Sequence, residues 1–473
     1  MNCLGNFYTP QMKVIHRGKV RDSVRIDKTT RMIVVSDRIS SFDSVLNNFI
    51  PQKGAVLTGI TNFWFERTRH IIDNHFIKMI DPNISLVKEA KPIKIEMIVR
   101  GYLTGSMWRG YKNEKRNFSG VLAPDGLNKN DRFPTPLVTP TTKEDSDRPI
   151  TPEDIVKEGW TTKAIYDEME KISLELFDFG SKLLEEKGII LVDTKYEFGI
   201  IDGKIVLIDE IHTPDSSRFW SLEDYTKDST KVDSIDKEYV RQWLLANKVD
   251  GKLPSILTDE VIEETNRRYL DIYKRITGEK LSYDFNEDIY DRVKRNLISE
   301  GLIKDGYVII IMGSPMDLPH CEKIKAHLDK YDVYVDMRVT SAHKNGERIG
   351  EITETYNNSF EPGCVIAVAG RSNGLGGALA ANLAIPLINC PPFKDKVDMM
   401  VNINSSLVMP SATPASTVID VNSAALAALR SLNLQRLKTV FRNEIQDVKE
   451  SLIKADNEIR NSKHRTKLTK RTF

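Results

Sequence analysis

The feature that most constrains this chain is a continuous apolar run, Tyr307-Val-Ile-Ile-Ile-Met312, in which polar and apolar residues do not alternate. A strand with one wet face alternates, whereas one apolar throughout is buried on both faces. Leu318 to Leu328 then reads as a helix, Val333 to Val339 as a strand, Glu347 to Tyr356 as a helix and Cys364 to Ala369 as a strand. That alternation predicts a parallel sheet with helices on both faces. The texture changes near Gly306, which places a domain boundary at about residue 304.

Upstream the pattern differs. Residues 1 to about 100 read as a strand-rich lobe, with Arg31 to Ser36 and Pro92 to Arg100 as strands. Residues 101–303 form a second lobe. Within it, 115–160 is loop-like, rich in Pro, Thr and Asp. Ile165, Met169, Ile172, Leu176, Phe179 and Leu183 recur at helical spacing between Trp160 and Lys187. Ile189 to Val192 and Lys204 to Glu210 read as strands, the second entered through the turn pair Asp202-Gly203. Charged amphipathic helices fill most of 221–300.

Composition narrows the function classes. Lys and Arg total 68, Asp and Glu 67, so the net charge of +1 gives no case for nucleic-acid or membrane-surface binding. Cys3, Cys321, Cys364 and Cys390 have neither disulfide-framework nor zinc-ligand spacing, which fits a reducing, cytoplasmic compartment. No apolar run is long enough to cross a bilayer, and the N-terminus lacks signal-peptide features. The tail from Arg460 to Phe473 carries six basic residues and no acid, and reads as a solvated end.

Several clusters have the chemistry of a site. Gly18 lies among Arg17, Lys19 and Arg21, a composition that lets backbone and charge approach phosphate. Asp193-Thr-Lys195-Tyr-Glu197 and Asp209-Glu210 fall at the ends of two hairpin-paired strands, so Glu197 and Asp209 should converge. Converging carboxylates repel. Mg²⁺ with substrate phosphates would relieve this, as would salt bridges to Lys195 and nearby arginines. Arg100 to Trp108 and Thr213 to Trp220 each combine an arginine with hydroxyl donors, as an oxyanion cradle does.

In the second half, Gly313-Ser-Pro-Met-Asp317 and Ser341-Ala-His343-Lys344 each follow a strand, where open α/β sheets bind ligands. Gly370-Arg-Ser-Asn-Gly-Leu-Gly-Gly377 imitates a dinucleotide fingerprint, with Asp395 at about the place of its ribose-binding acid, but the glycine pattern is incomplete.

Five motifs carry a family resemblance: Gly18 to Asp22, Ser36 to Asp43, Val99 to Ser106, Asp193 to Gly199 and Thr213 to Trp220. In that order they resemble phosphoribosylaminoimidazole-succinocarboxamide synthetases, which join carboxyaminoimidazole ribonucleotide (CAIR) to L-aspartate using ATP. The resemblance implies a two-lobed α+β fold. It assigns Gly18, Lys19 and Arg21 to ATP, and Glu197 and Asp209 to Mg²⁺. Arg100, Ser106 and Arg218 would hold the CAIR phosphate, Lys195 and Asp215 belong to the same site, and Lys143 and Asp147 close over CAIR and aspartate.

Gly313 to Asp317, Thr340 to Lys344, Ala367 to Gly376 and Asn389-Cys-Pro-Pro392 resemble aminoimidazole ribonucleotide (AIR) carboxylases. That implies a three-layer, flavodoxin-like α/β fold with no cofactor. Ser314 and Asp317 would bind AIR, His343 act as general acid and base, Lys344 orient CO2, and Ser372, Asn373 and Gly374 form the CO2 pocket. Ser-Ala-His-Lys with Gly-Arg-Ser-Asn-Gly resembles the class that takes CO2 directly. Met316 departs from the serine frequent at its position. Such carboxylases form octamers, so a homo-octamer is expected. The two halves in one chain resemble bifunctional purine-synthesis enzymes.

Overall fold

The computed structural model describes residues 2–42, 44–144, 147–232, 234–235, 237–370 and 372–461. Asp43, Asp145, Ser146, Arg371 and the basic tail beyond Asn461 lie outside the described residues. The chain divides into two compact units. One is formed by residues up to Phe7 and from Met12 to Glu300, the other by Tyr8–Gln11 and residues from Gly301 onward.

The first unit contains two main antiparallel sheets. Strands Lys13–Arg17, Arg21–Arg25, Thr30–Val35, Ile84–Lys88 and Phe76–Asp81 lie in that spatial order in one. The other runs Arg132–Val138, Lys91–Tyr102, Ile189–Ile201, Lys204–Ile208, and Ser217–Ser221 pairs with its Ile189–Ile201 strand. Lys91–Tyr102, assigned from sequence to the first lobe, is therefore a central strand of the second sheet. The hairpin at Asp202-Gly203 forms as expected, with φ of 50° and 79°, the left-handed pair that a two-residue connection requires.

The loop expected over 115–160 holds more order than its pattern announces. Arg132–Val138 is an edge strand interrupted by Pro134 and Pro136, tolerated because an edge leaves donors unused. Helix Pro152–Lys157 begins on proline and is capped by Thr151, whose hydroxyl accepts from the Asp154 N–H at 3.1 Å. Helix Lys163–Glu185 buries Met169, Ile172 and Leu176 from the expected stripe.

In the second unit the strands lie in the order Tyr334–Val339, Tyr307–Met312, Gly363–Val368, Leu387–Asn389, Ser416–Thr417, all parallel. This 2-1-3-4-5 order is that of the flavodoxin-like doubly wound fold. Val308, Ile310 and Met312 pack with Ile324 and Leu328 of helix Leu318–Leu328, and with Ala424, Ala425 and Ala428 of helix Val421–Ser431. Tyr307, Ile309 and Ile311 pack on the other face with Ile349 and Ile352 of helix Arg348–Asn358. Burial on both faces explains the absence of alternation. Helix Gly374–Ala380 follows the third strand, its start capped by the Asn373 side chain.

Candidate active sites

The second sheet of the first unit builds its site by alternation. Along Ile189–Ile201, Thr194, Tyr196 and Phe198 turn into the core, while Asp193, Lys195 and Glu197 share the opposite face. These residues are interior to a 13-residue strand rather than at its end, a correction to the sequence reading. The apolar run Ile189 to Val192 marks only the half of the strand that is covered on both faces.

The neighbouring strand completes the face, with Asp193 opposite Arg100 and Glu197 opposite Glu96. Lys195 Nζ lies 2.8 Å from Glu96 Oε1 and 3.3 Å from Glu197 Oε1. Lys143 pairs with the second oxygen of Glu197. Glu197 is also opposite Ile208, and the chain turns immediately afterwards at Asp209, whose φ is 66°. Arg21 reaches across and pairs with both Asp209 and Glu210. The carboxylates converge, and ion pairs with Lys195, Lys143 and Arg21, one of the two forms of relief the sequence left open, offset their repulsion.

The charges pull the two carboxylates apart. Burial and the Asp209 charge raise the Glu197 pKa, against the pull of Lys195 and Lys143. Burial would raise Asp209 too, but Arg21, Lys143 and Lys195 bring it below the usual range. Burial would lower Lys195, yet Glu197 and Glu96 hold its ammonium above its ordinary pKa. Among the described residues, no three His, Cys, Asp or Glu side chains form a protein-only metal cage. Mg²⁺ needs none, since it binds through one or two carboxylates with waters and substrate phosphates. Glu197 and Asp209 fit that donor set, and the Lys143 that covers Glu197 is nearly half exposed.

An anion cradle lies one step along the same strand. Arg218 Nη2 is 3.0 Å and Arg100 Nη1 3.7 Å from Asp193 Oδ2. Arg100 Nε also donates to Thr139 Oγ1 at 2.9 Å. Gly105, at φ 59°, packs so closely on the Arg218 guanidinium that a Cβ there would overlap it. Ser106 follows in the first turn of helix Gly105–Lys112. Asp193, which the sequence reading had not assigned, holds the Arg100 and Arg218 guanidinium groups side by side, and Ser106 follows the Gly105 that packs on Arg218.

The other expected residues are placed less alike. Gly18 and Lys19 form the turn between the first two strands, closed by Gly18 N–H donating to Arg21 O at 2.7 Å. Arg21 faces Asp209 and Glu210. Asp147 is exposed. Asp215 is buried and accepts from Lys53 Nζ and Tyr269 Oη, each at 2.7 Å, with Lys237 Nζ at 3.7 Å. Lys53, Glu96, Tyr269 and Lys237 were not singled out from sequence. Lys53 opens helix Lys53–Arg67, Glu96 lies in strand Lys91–Tyr102, Tyr269 in helix Asp259–Thr277, and Lys237 precedes helix Glu238–Ala246; their convergence arises from tertiary packing.

In the second unit, three loops meet at the carboxyl ends of adjacent strands. Gly313 lies against Ala369 and Leu375, and a methyl on Gly374 would stand 2.6 Å from His343 Cε1. His343 and Lys344 project from a turn closed by Lys344 N–H to Ser341 O at 3.2 Å and Ser341 N–H to Asn345 Oδ1 at 2.8 Å. Ser314 caps the short helix that leads to Asp317 and accepts from Met316 N–H at 3.2 Å. Burial raises the Asp317 pKa. Met316 is almost fully exposed. Ser372 is exposed and Gly374 half-buried. The Asn373 amide is engaged at both ends, accepting from Gly376 N–H at 2.9 Å and donating to Ser406 Oγ at 3.0 Å. Arg371 of this motif lies outside the described residues. Asp395 accepts from Val397 and Asp398 N–H as a helix cap, so the dinucleotide reading loses its ribose acid.

A family model described as SAICAR synthetase matches residues 14–276, and one described as AIR carboxylase matches 307–454. The chain is 40% identical over 302 residues to a phosphoribosylaminoimidazole-succinocarboxamide synthase of Cytophaga hutchinsonii, covering 96% of that protein and 62% of this chain. The corresponding synthase of Legionella pneumophila is 42% identical over 295 residues, covering 94% of its length and 60% of this chain. A Saccharomyces cerevisiae SAICAR synthase, solved complexed with SAICAR, aligns at 33% identity with a TM-score of 0.54, covering all of that chain and 59% of this one.

Proposed function

The chain belongs to the SAICAR synthetase family and carries an AIR carboxylase domain after it, and from that premise we propose how its residues divide the work. The two activities are consecutive steps of purine biosynthesis: AIR is carboxylated to CAIR, and CAIR is then ligated with aspartate. The synthetase is assigned to 1–303 and the carboxylase to 304–473.

In the carboxylase half the substrate is CO2 itself, and no cofactor takes part. The observation that carries this reading is His343 lying against Gly374, with Lys344 next in the same turn. Ser314 and Asp317 hold AIR. Its ring carbon is enamine-like and supplies the electron pair for the new C–C bond. One π pair of CO2 moves onto oxygen, and the displaced ring proton passes to the His343 imidazole. Lys344, Ser372 and Gly374 face the oxygen where charge develops. Asn373, with its amide engaged, shapes the turn rather than donating from its side chain.

In the synthetase half, Arg100, Ser106 and Arg218 hold the CAIR phosphate. Gly18, Lys19 and Arg21 attend ATP, and Lys143 and Asp147 close over CAIR and aspartate. The CAIR carboxylate takes the terminal phosphoryl group of ATP, with ADP leaving. The aspartate amine then attacks the acyl phosphate, phosphate departs with the bonding pair, and the amine proton is lost. Positioning and charge stabilisation carry such steps. Glu197 and Asp209 would hold Mg²⁺, which supplies charge neutralisation at the transferring phosphoryl group. Lys195 orients the carboxylates, and Asp215 anchors Lys53 and Lys237 behind the site.

The full chain given AIR and bicarbonate without ATP should accumulate CAIR. Product only from N5-carboxylated AIR would overturn the CO2 assignment.

We further propose a cytoplasmic homo-octamer built on the carboxylase half, a reading supported by exposed apolar helix faces. Helix Gln435–Asn461 leaves Ile445, Val448, Leu452, Ile453 and Ile459 exposed, and helix Lys396–Leu407 leaves Val397, Met400, Val401 and Leu407 exposed. Apolar faces of this extent mark interaction surfaces. Light scattering of the full chain should give the mass of eight copies, and a monomer or dimer at micromolar concentration would refute this.

A further inference from the structure

Three cations serve the carboxylates of Glu197 and Asp209, and they are held unequally. Arg21 pairs with Asp209 and Glu210, and its side chain is 15% exposed. Lys195, 32% exposed, lies between Glu96 and Glu197. Lys143 is 44% exposed, and among the described residues Glu197 is the one carboxylate it pairs with. Exposure and a single partner make Lys143 the cation most readily withdrawn.

Its backbone is fixed while its side chain is free to turn. Thr141 and Thr142 pair with Glu96 and Ile95, and the Lys143 N–H donates to Lys94 O at 3.1 Å. What can move is the flexible four-carbon stem with its compact ammonium. That ammonium takes Glu197 Oε2, while Lys195 faces Oε1. Its charge also acts on Asp209. The ammonium therefore stands where a cation shared by the two carboxylates would stand. A divalent ion joining Glu197 at Oε2 would repel it.

We propose that Lys143 is an exchangeable counter-cation of the synthetase site: its ammonium and the metal ion are alternative occupants of Glu197 Oε2, and the metal releases Lys143 to a carboxylate of the substrates. The inference rests on the Mg²⁺ reading above. Before the metal arrives, Lys143 offsets the repulsion between Glu197 and Asp209. Once displaced, it swings on its fixed backbone to a carboxylate of CAIR or of aspartate. Metal loading and substrate binding are then coupled, and by linkage each strengthens the other.

The test compares the full chain with Lys143→Met, which keeps the stem without the charge, and Lys143→Arg, which keeps the charge. Mn²⁺ binding is read by electron paramagnetic resonance without nucleotide. Glu197→Gln is the reference for the site, and AIR carboxylation measures an intact chain. Lys143→Met is expected to bind Mn²⁺ about tenfold or more tightly, because the competing charge is gone, and Lys143→Arg within about threefold of the unsubstituted chain. At saturating metal, Lys143→Met should raise the KM for CAIR or for aspartate about fivefold or more, and the one that rises identifies the receiving carboxylate. Tighter metal with weaker substrate is a pair of opposite changes that lost packing would not produce. Unchanged or weaker Mn²⁺ binding by Lys143→Met, alongside weaker binding by Glu197→Gln, overturns the proposal and leaves the metal reading standing. Tighter Mn²⁺ with both KM values unchanged overturns it too, because the released ammonium would have no second partner. If Glu197→Gln binds Mn²⁺ as the unsubstituted chain does, the metal reading itself has failed, and this inference with it.

Discussion

Asp209→Asn should lower ligase turnover on the order of 10²-fold or more, because charge neutralisation and positioning carry phosphoryl transfer. Asparagine preserves the shape of the side chain and an acceptor for Arg21. It removes the negative charge that stands beside Glu197 at the end of the hairpin. Carboxylation of AIR should be unaffected, since it belongs to the other half of the chain. The measurement is turnover of CAIR, aspartate and ATP across a Mg²⁺ titration. Near-normal turnover at saturating Mg²⁺ would refute the metal role. A fall with an unchanged Mg²⁺ requirement would instead place Asp209 as the anchor of Arg21.

Asp215→Leu should destabilise the synthetase half by about 3–5 kcal/mol, the range for removing one partner of a buried ion pair. The Lys53 side chain facing it is 0% exposed and that of Lys237 11%. Both ammonium groups would be left near an apolar side chain, and Tyr269 would lose its acceptor. Burial would raise the Asp215 pKa, but Lys237 and Lys53 bring it below the ordinary carboxylate value of 3.8. Its contribution is therefore fully present above that pH and lost as pH falls through the lower folded value. Denaturant unfolding at neutral pH reads the difference, and a midpoint equal to that of the unsubstituted chain would contradict it. Lys53→Met combined with Asp215→Leu should recover part of the loss, because the stranded charge has gone.

Much of this protein was legible in its residues because the signals were local. An apolar run without alternation is enough to require burial on both faces, and Tyr307–Met312 lies between two helical layers. The Asp202-Gly203 pair carries the backbone preference that closes its hairpin. Thr162 announces a helix start by its own side chain. The ordered motifs likewise identified both families before any contact was visible.

Pairing was decided only in three dimensions. Arg21 meets Asp209 across 188 positions of sequence, and Lys53 meets Asp215 across 162. Strand register brings Glu96 opposite Glu197 and Arg100 opposite Asp193, and no local pattern encodes register between strands so far apart. The same holds for the two asparagines beside Gly376. Both are asparagines of one half of the chain, but the Asn373 side chain bonds to Gly376 and Ser406 while that of Asn389 has no hydrogen-bond partner. Residue type sets what a side chain can donate or accept; tertiary packing determines which groups lie within reach.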